Sequence, residues 1–219
     1  MNISKDYSKI TLFFLFLYFL LLNIYQLYNQ HWTAIIDQDV VIIYNSLLIS
    51  SGFEQEYRDH PAYTTFLILG SIYKFFSIFF DNFTIQEIIN SQNIDKSFQK
   101  LFIIARVLNS IYFFLVALIL FNILKELNVK RNICISSIIL IIFFQATYDL
   151  LFLLRSEIIS VLMFLLFVFF LIKFIKNINK IGYCFVSGFF FCLAMLAKIQ
   201  IIFLFITFLI SLPFLFNCF

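Results

Sequence analysis

Three short polar segments break a sequence otherwise dominated by apolar side chains: Asp37-Gln38-Asp39, Tyr57-Arg58-Asp59-His60-Pro61 and Arg155-Ser156-Glu157. The carboxylates of Asp37 and Asp39 can take a proton from an acceptor hydroxyl or bind a metal. They serve equally well as solvated caps of a helix beginning near Val40. Pro61 biases His60 toward extended backbone and suits the first turn of a following helix. That fixes Asp59 and His60 at a helix start, which is equally a proline-started interfacial helix preceded by an ion pair. Glu157 supplies a third acid. Arg106, Arg155 and Lys198 are cations set in or beside apolar runs, where charge is costly and faces protein or a watery cleft. Three cations at one depth suit a lipid phosphate or pyrophosphate, although each alone also suits snorkelling toward headgroups.

The elements that hold these residues follow from composition. Hydrophobic residues make up 63% of the chain, charged residues 12%, and the mean hydropathy is +1.01, which excludes an ordinary soluble domain. With 34 Phe but only 2 Pro and 4 Gly, the apolar stretches are too long and unbroken for barrel strands, which leaves helices that satisfy their own amides. Cys134, Cys184, Cys192 and Cys218 lie in apolar runs without metal or disulfide spacing and read as small buried hydrophobes.

The expected fold is all-α: a polytopic membrane protein of about six transmembrane helices, forming one module over residues 1–219. A span needs about 20 mostly apolar residues, and the candidates run from Ile10 to Tyr28, Leu101 to Leu124, Ile133 to Thr147, Ile158 to Ile175, Ile181 to Leu196 and Ile199 to Phe216. The first is expected to stay as an anchor rather than be cleaved, since it is too long for the apolar core of a signal peptide. Lys5 and Lys9, then Lys125, Lys130 and Arg131, then Lys173, Lys176 and Lys180 all fall on one side if the N-terminus is cytoplasmic. The loop over residues 31–99 is then external, with eight acids against three bases and a net charge of −5. Within it, Val40 to Ile49 and Ala62 to Phe80 read as two helices lying along the interface or packed on the bundle, the second interrupted by Gly70, Ser71 and Lys74. Ser51-Gly52 ends the first. The sequon Asn82-Phe83-Thr84 lies in the same loop.

The order of these features resembles the GT-C superfamily of glycosyltransferases, in particular the family 39-like bacterial relatives of protein O-mannosyltransferases and aminoarabinose transferases. In that family a first span leads to an acidic motif, usually Asp-Glu, and then to juxtamembrane helices. Asp37-Gln38-Asp39 stands in that place, and the interval from Asp37 to Gly52 resembles the family's spacing. Ala105-Arg106-Val107-Leu108-Asn109-Ser110, Leu154-Arg155-Ser156-Glu157 and the stretch from Gly188 to Lys198 resemble later family motifs. Each motif is short, and their order and common side carry the likeness.

The resemblance implies transfer of a hexosyl or pentosyl unit from a polyprenyl-phosphate-linked donor to a lipid, glycan or protein acceptor on the external face of a bacterial inner membrane. It assigns Asp37 as general base, Asp39 as its support or as a contact to the acceptor, Glu157 as second acid, and Arg106, Arg155 and Lys198 as holders of the phosphate. Asp59 and His60 would shape the acceptor side. It leaves a divalent cation open, implies no other cofactor and no nucleic acid, and implies that the chain is the N-terminal part of a longer enzyme. A noncatalytic relative of these enzymes is the alternative. A transporter fragment fits less well, because the charges lie at one face rather than at the midplane.

Overall fold

The computed structural model describes residues 7–29, 31, 33, 38–57, 62–142 and 153–216, and among these the chain is all helical, with no strand. Its helices are α1 (Tyr7–Asn29), α2 (Gln38–Ser50), α3 (Tyr63–Phe76), α4 (Ile85–Ile89), α5 (Ile94–Glu126), α6 (Arg131–Ile142), α7 (Ser156–Lys176), α8 (Gly182–Ala197) and α9 (Ile201–Phe216). Two of them, α5 with 33 residues and α7 with 21, are long and apolar enough to cross a membrane. At 1.5 Å per residue they measure about 50 and 32 Å against a hydrocarbon core of about 30 Å. The other four expected spans are also helical, as α1, α6, α8 and α9, although the part of the third span beyond Ile142 lies outside the described residues. Phe13, Phe14 and Leu21 on α1, Phe185 and Phe189 on α8, and Phe203 and Ile210 on α9 are exposed, a coverage suited to hydrocarbon rather than water.

Caps explain several boundaries. Asn93 opens α5 by accepting a hydrogen bond from the Lys96 amide at 3.0 Å, so the helix starts seven residues before Leu101. It ends where Asn128 takes a left-handed conformation (φ 58°), with the Asn128 and Val129 amides donating to Lys125 O and Leu124 O. Gly52 (φ 81°) ends α2 in the same way, its amide donating to Ile49 O and that of Phe53 to Leu48 O. The short α4 is held by a reciprocal pair in which Thr84 Oγ1 accepts from the Glu87 amide and Glu87 Oε2 accepts from the Thr84 amide.

Of the two alternatives for these helices, along the interface or packed on the bundle, the structure shows packing, with Tyr63, Lys74 and Phe75 of α3 left exposed. Ile42, Ile43, Asn45, Ser46 and Leu47 of α2 are all buried, as are Phe66, Leu69 and Tyr73 of α3, in a core completed by Leu101, Phe102 and Ala105 of α5 and by Leu154. The polar residues of α2 are tolerated there because they find partners: Ser46 Oγ donates to Ile42 O, Ser50 Oγ to Leu47 O, and Asn45 Oδ1 accepts the amides of Glu56 and Tyr57. Gly70 does not interrupt α3. A Cβ there would lie 2.8 Å from Ser46 O, so the glycine is what lets the backbones of α2 and α3 approach each other. The α2–α3 layer forms a cap on one end of the assembly, where α3 contacts α8 and Thr64 Oγ1 donates to Leu193 O at 2.8 Å.

Beneath the cap, α5 packs on α1, α6 and α7, and α7 packs on α8. Phe164 and Phe167 meet Phe190, Phe191, Phe205 and Phe208 in one apolar cluster. Cys134 is buried as expected, whereas Cys184 and Cys192 sit on the exposed face of α8, because that face turns away from the helical assembly. Cys218 lies outside the described residues.

Candidate functional site

Two acid–cation pairs stand at the capped end. Asp39, in the first turn of α2, accepts from Arg106 Nε at 3.3 Å and Nη2 at 3.2 Å through Oδ2, and from the Leu154 amide at 2.8 Å through Oδ1. Arg106 also lies over the Phe102 ring, 5.5 Å from its centroid. The two side chains are 2% and 3% exposed. Asn23 of α1 donates to Arg106 O at 2.9 Å and to Ser110 Oγ at 2.5 Å, and Asn109 donates to Leu153 O at 3.0 Å. One buried polar knot therefore ties α1, α2, α5 and the segment entering α7. Burial pushes the Asp39 carboxyl above its ordinary range, and the Arg106 charge and the Leu154 amide pull it back.

The second pair joins Glu157, in the first turn of α7, to Lys198, the residue that ends α8. Lys198 Nζ donates to Glu157 Oε1, and the side chains remain 24% and 26% exposed. Oε2 of Glu157 is shut from solvent and has no hydrogen-bond partner among the described residues. Arg155, half-buried at the N-cap of α7, adds its positive charge to the surroundings of Asp39. A carboxylate with one oxygen on a lysine and the other without a partner among the described residues has capacity left for one more hydrogen bond from a group that enters beside it.

Of the residues expected to form a site, Glu157 and Lys198 thus meet, and Arg155 lies near enough to Asp39 to act on its charge. Arg106 does not present itself to a ligand there: its guanidinium is spent on Asp39 and closed to solvent, because a buried charge must be paired. Asp39 is closed in the same way, so its geometry suits a support for its neighbour rather than contact with an acceptor. Asp37, Asp59 and His60 lie outside the described residues. Among the described residues no group of three or more His, Cys, Asp or Glu is placed to hold a metal ion. Asn23, Asn109 and Ser110 escaped the sequence analysis as members of the knot, although an Asn within an apolar helix is itself a signal of a buried polar contact.

At the opposite end of α7, Glu126 is bonded to Lys173 at 2.5 Å and to Lys176 at 3.0 Å, so acids and bases gather at both ends of the helices. No family model, curated protein or solved structure matches this chain.

Proposed function

We propose that this protein is a membrane glycosyltransferase module that takes a sugar from a polyprenyl-phosphate carrier and passes it to a hydroxyl acceptor at the outer face of a bacterial inner membrane. The observation that carries the reading is the half-open Glu157–Lys198 pair, with the unpartnered Glu157 Oε2, at the end of two helices apolar enough to span. A lipid phosphate at that level meets Lys198 and Arg155, and its hydrocarbon chain has apolar helix faces to follow. Six spans and a cytoplasmic N-terminus belong to the same proposal, supported by the gathering of Lys173 and Lys176 at the end of α7 away from Glu157.

In the reaction, the bond between the anomeric carbon and the phosphate oxygen breaks, and the electron pair leaves with the polyprenyl phosphate. Lys198 and Arg155 stabilise the charge that develops on that oxygen. The acceptor oxygen bonds to the anomeric carbon, and its proton passes to a carboxylate. By resemblance that base is Asp37, two residues before the anchored Asp39, with Glu157 as the second acid. Asp39 and Arg106 are positioning residues that fix where α2 begins.

A noncatalytic subunit of the same architecture is the second reading, favoured by the complete mutual satisfaction of Asp39 and Arg106. Membranes carrying the full-length gene product separate the two. Given a labelled polyprenyl-phosphate sugar, the wild type is expected to transfer label, and Asp37→Asn and Lys198→Ala are expected to lose most of it. Transfer by both variants at the wild-type rate contradicts the site, and no transfer by the wild type supports the subunit reading.

A further inference from the structure

Between α3 and α4 the chain reads Phe75-Phe76-Ser77-Ile78-Phe79-Phe80-Asp81-Asn82. Phe76 packs inward, stacked on Phe83 with ring centroids 5.5 Å apart. Phe75, Ile78, Phe79 and Phe80 are each between 58 and 70% exposed. They are nonetheless held in place. The Phe79 and Phe80 amides donate to Phe76 O at 3.0 and 2.9 Å, and the Phe75 ring meets Phe79 edge-on at 5.4 Å. The result is a preformed apolar knob. Phe79 and Phe80 also wall a groove of about 560 Å³ against Phe83, Ile103 and Ile104, with Asp81, Asn82 and Lys100 on its polar side.

The depth of this knob follows from α5. If Lys125 marks one edge of the hydrocarbon, the other edge lies about 20 residues back along the helix, near Ala105, since a core of about 30 Å is crossed at 1.5 Å per residue. Ile103 and Ile104 then stand at that edge. Lys100 and Lys96, one to three turns further out, stand about 7 and about 13 Å beyond it, at headgroup level. An exposed cluster of Phe and Ile packed at the level of Ile103 therefore meets acyl chains, and the lysines above it meet phosphates.

We infer that the Phe75–Phe80 turn is inserted into the leaflet at the Glu157 end of the molecule and seats the α2–α3 cap on the bilayer. Ile78, Phe79 and Phe80 rest among the upper acyl chains. Lys100, with Lys96 on the same helix face and Lys74 one turn before Ile78, faces anionic lipid headgroups. Asp81 and Asn82 return the chain to the aqueous side. Such an anchor fixes the cap, and through the Asp39 knot the start of α2, at the level where a lipid phosphate would meet Lys198. The inference rests on the membrane reading and not on sugar transfer.

The test uses the full chain in liposomes of phosphatidylcholine and phosphatidylglycerol, with the one tryptophan removed by Trp32→Phe and a reporter placed by Phe79→Trp. Phe80→Trp, at the neighbouring exposed position, serves as a second reporter, and Phe53→Trp, at the exposed residue that follows Gly52, as the reference. Both knob reporters are expected to lose about half their fluorescence to lipids brominated near the top of the acyl chain and less to lipids brominated near its end, as insertion about 5–10 Å into the headgroup–acyl boundary requires. Brominated phosphatidylglycerol is expected to quench more than brominated phosphatidylcholine at equal mole fraction, and Lys100→Glu to abolish the difference. Knob reporters that neither lipid quenches, or a Phe53→Trp reporter quenched as strongly, overturn the insertion. A preference for phosphatidylglycerol that survives Lys100→Glu, or its absence with Lys100 present, overturns the headgroup contact.

Discussion

Asp39–Arg106 and Glu157–Lys198 join the same kinds of group, yet the first is closed to water and the second keeps about a quarter of each side chain exposed. The difference comes from what surrounds them. Arg106 lies twelve residues into α5, walled by α1 and α2, and both oxygens of Asp39 are engaged, by the guanidinium and by the Leu154 amide. Glu157 and Lys198 sit at helix ends, where the packing of α7 on α8 stops and one carboxylate oxygen is left over. A fully satisfied buried pair gives a unique arrangement of helices. An incompletely satisfied pair at an opening is where a ligand can add something.

The comparison breaks first at Arg106. Arg106→Ala leaves Asp39 buried without its cation and is expected to destabilise the fold by roughly 3–5 kcal/mol, read as a loss of folded, monodisperse protein or a large fall in Tm in detergent. The double variant Asp39→Leu with Arg106→Met is expected to recover most of that loss, because the cost lies in the unpaired charge rather than in losing the pair. A double variant as unstable as Arg106→Ala would show that the knot works through its other hydrogen bonds.

Gly70→Ala comes next. The added methyl meets Ser46 O, a backbone atom that cannot move without shifting α2, so a loss of about 1–3 kcal/mol is expected. A neutral result would mean that α2 and α3 can slide apart. Smallest is Lys198→Ala, expected to cost less than about 1 kcal/mol in stability, because a partly exposed ion pair is screened by water and salt. A cost as large as that of Arg106→Ala would erase the distinction between the two pairs.

The helices themselves were largely legible. Uninterrupted apolar runs in a chain with little Gly or Pro leave no alternative, and the expected spans fall within a few residues of α1, α5, α7, α8 and α9. The start of α5 at Ile94 was not read, because Asp95, Lys96 and Lys100 make its first turns look like loop. The cap that opens it, Asn93, is a local signal that could have been used. The same holds for α4, where Thr84-Ile85-Gln86-Glu87 has the spacing of a reciprocal cap. Burial of α2 was hidden for a different reason. Asn45, Ser46 and Ser50 look solvent-facing by type, and only partners in the fold show that they are satisfied inside it.

Of the candidate site, the meeting of Glu157 with Lys198 follows from their places at the adjoining ends of α7 and α8, which apolar run lengths already suggest. The Asp39–Arg106 pair joins residues 67 positions apart, and no local pattern could show that this acid and this cation neutralise each other.

The central claim is that the open pair does chemistry while the closed pair holds the fold, and Glu157→Gln tests it most directly. The substitution keeps the size of the side chain, so the variant is expected to unfold with the wild type while its sugar transfer from the polyprenyl-phosphate donor, per folded molecule, falls on the order of 100-fold or more. Wild-type transfer by a stably folded Glu157→Gln protein would contradict the claim.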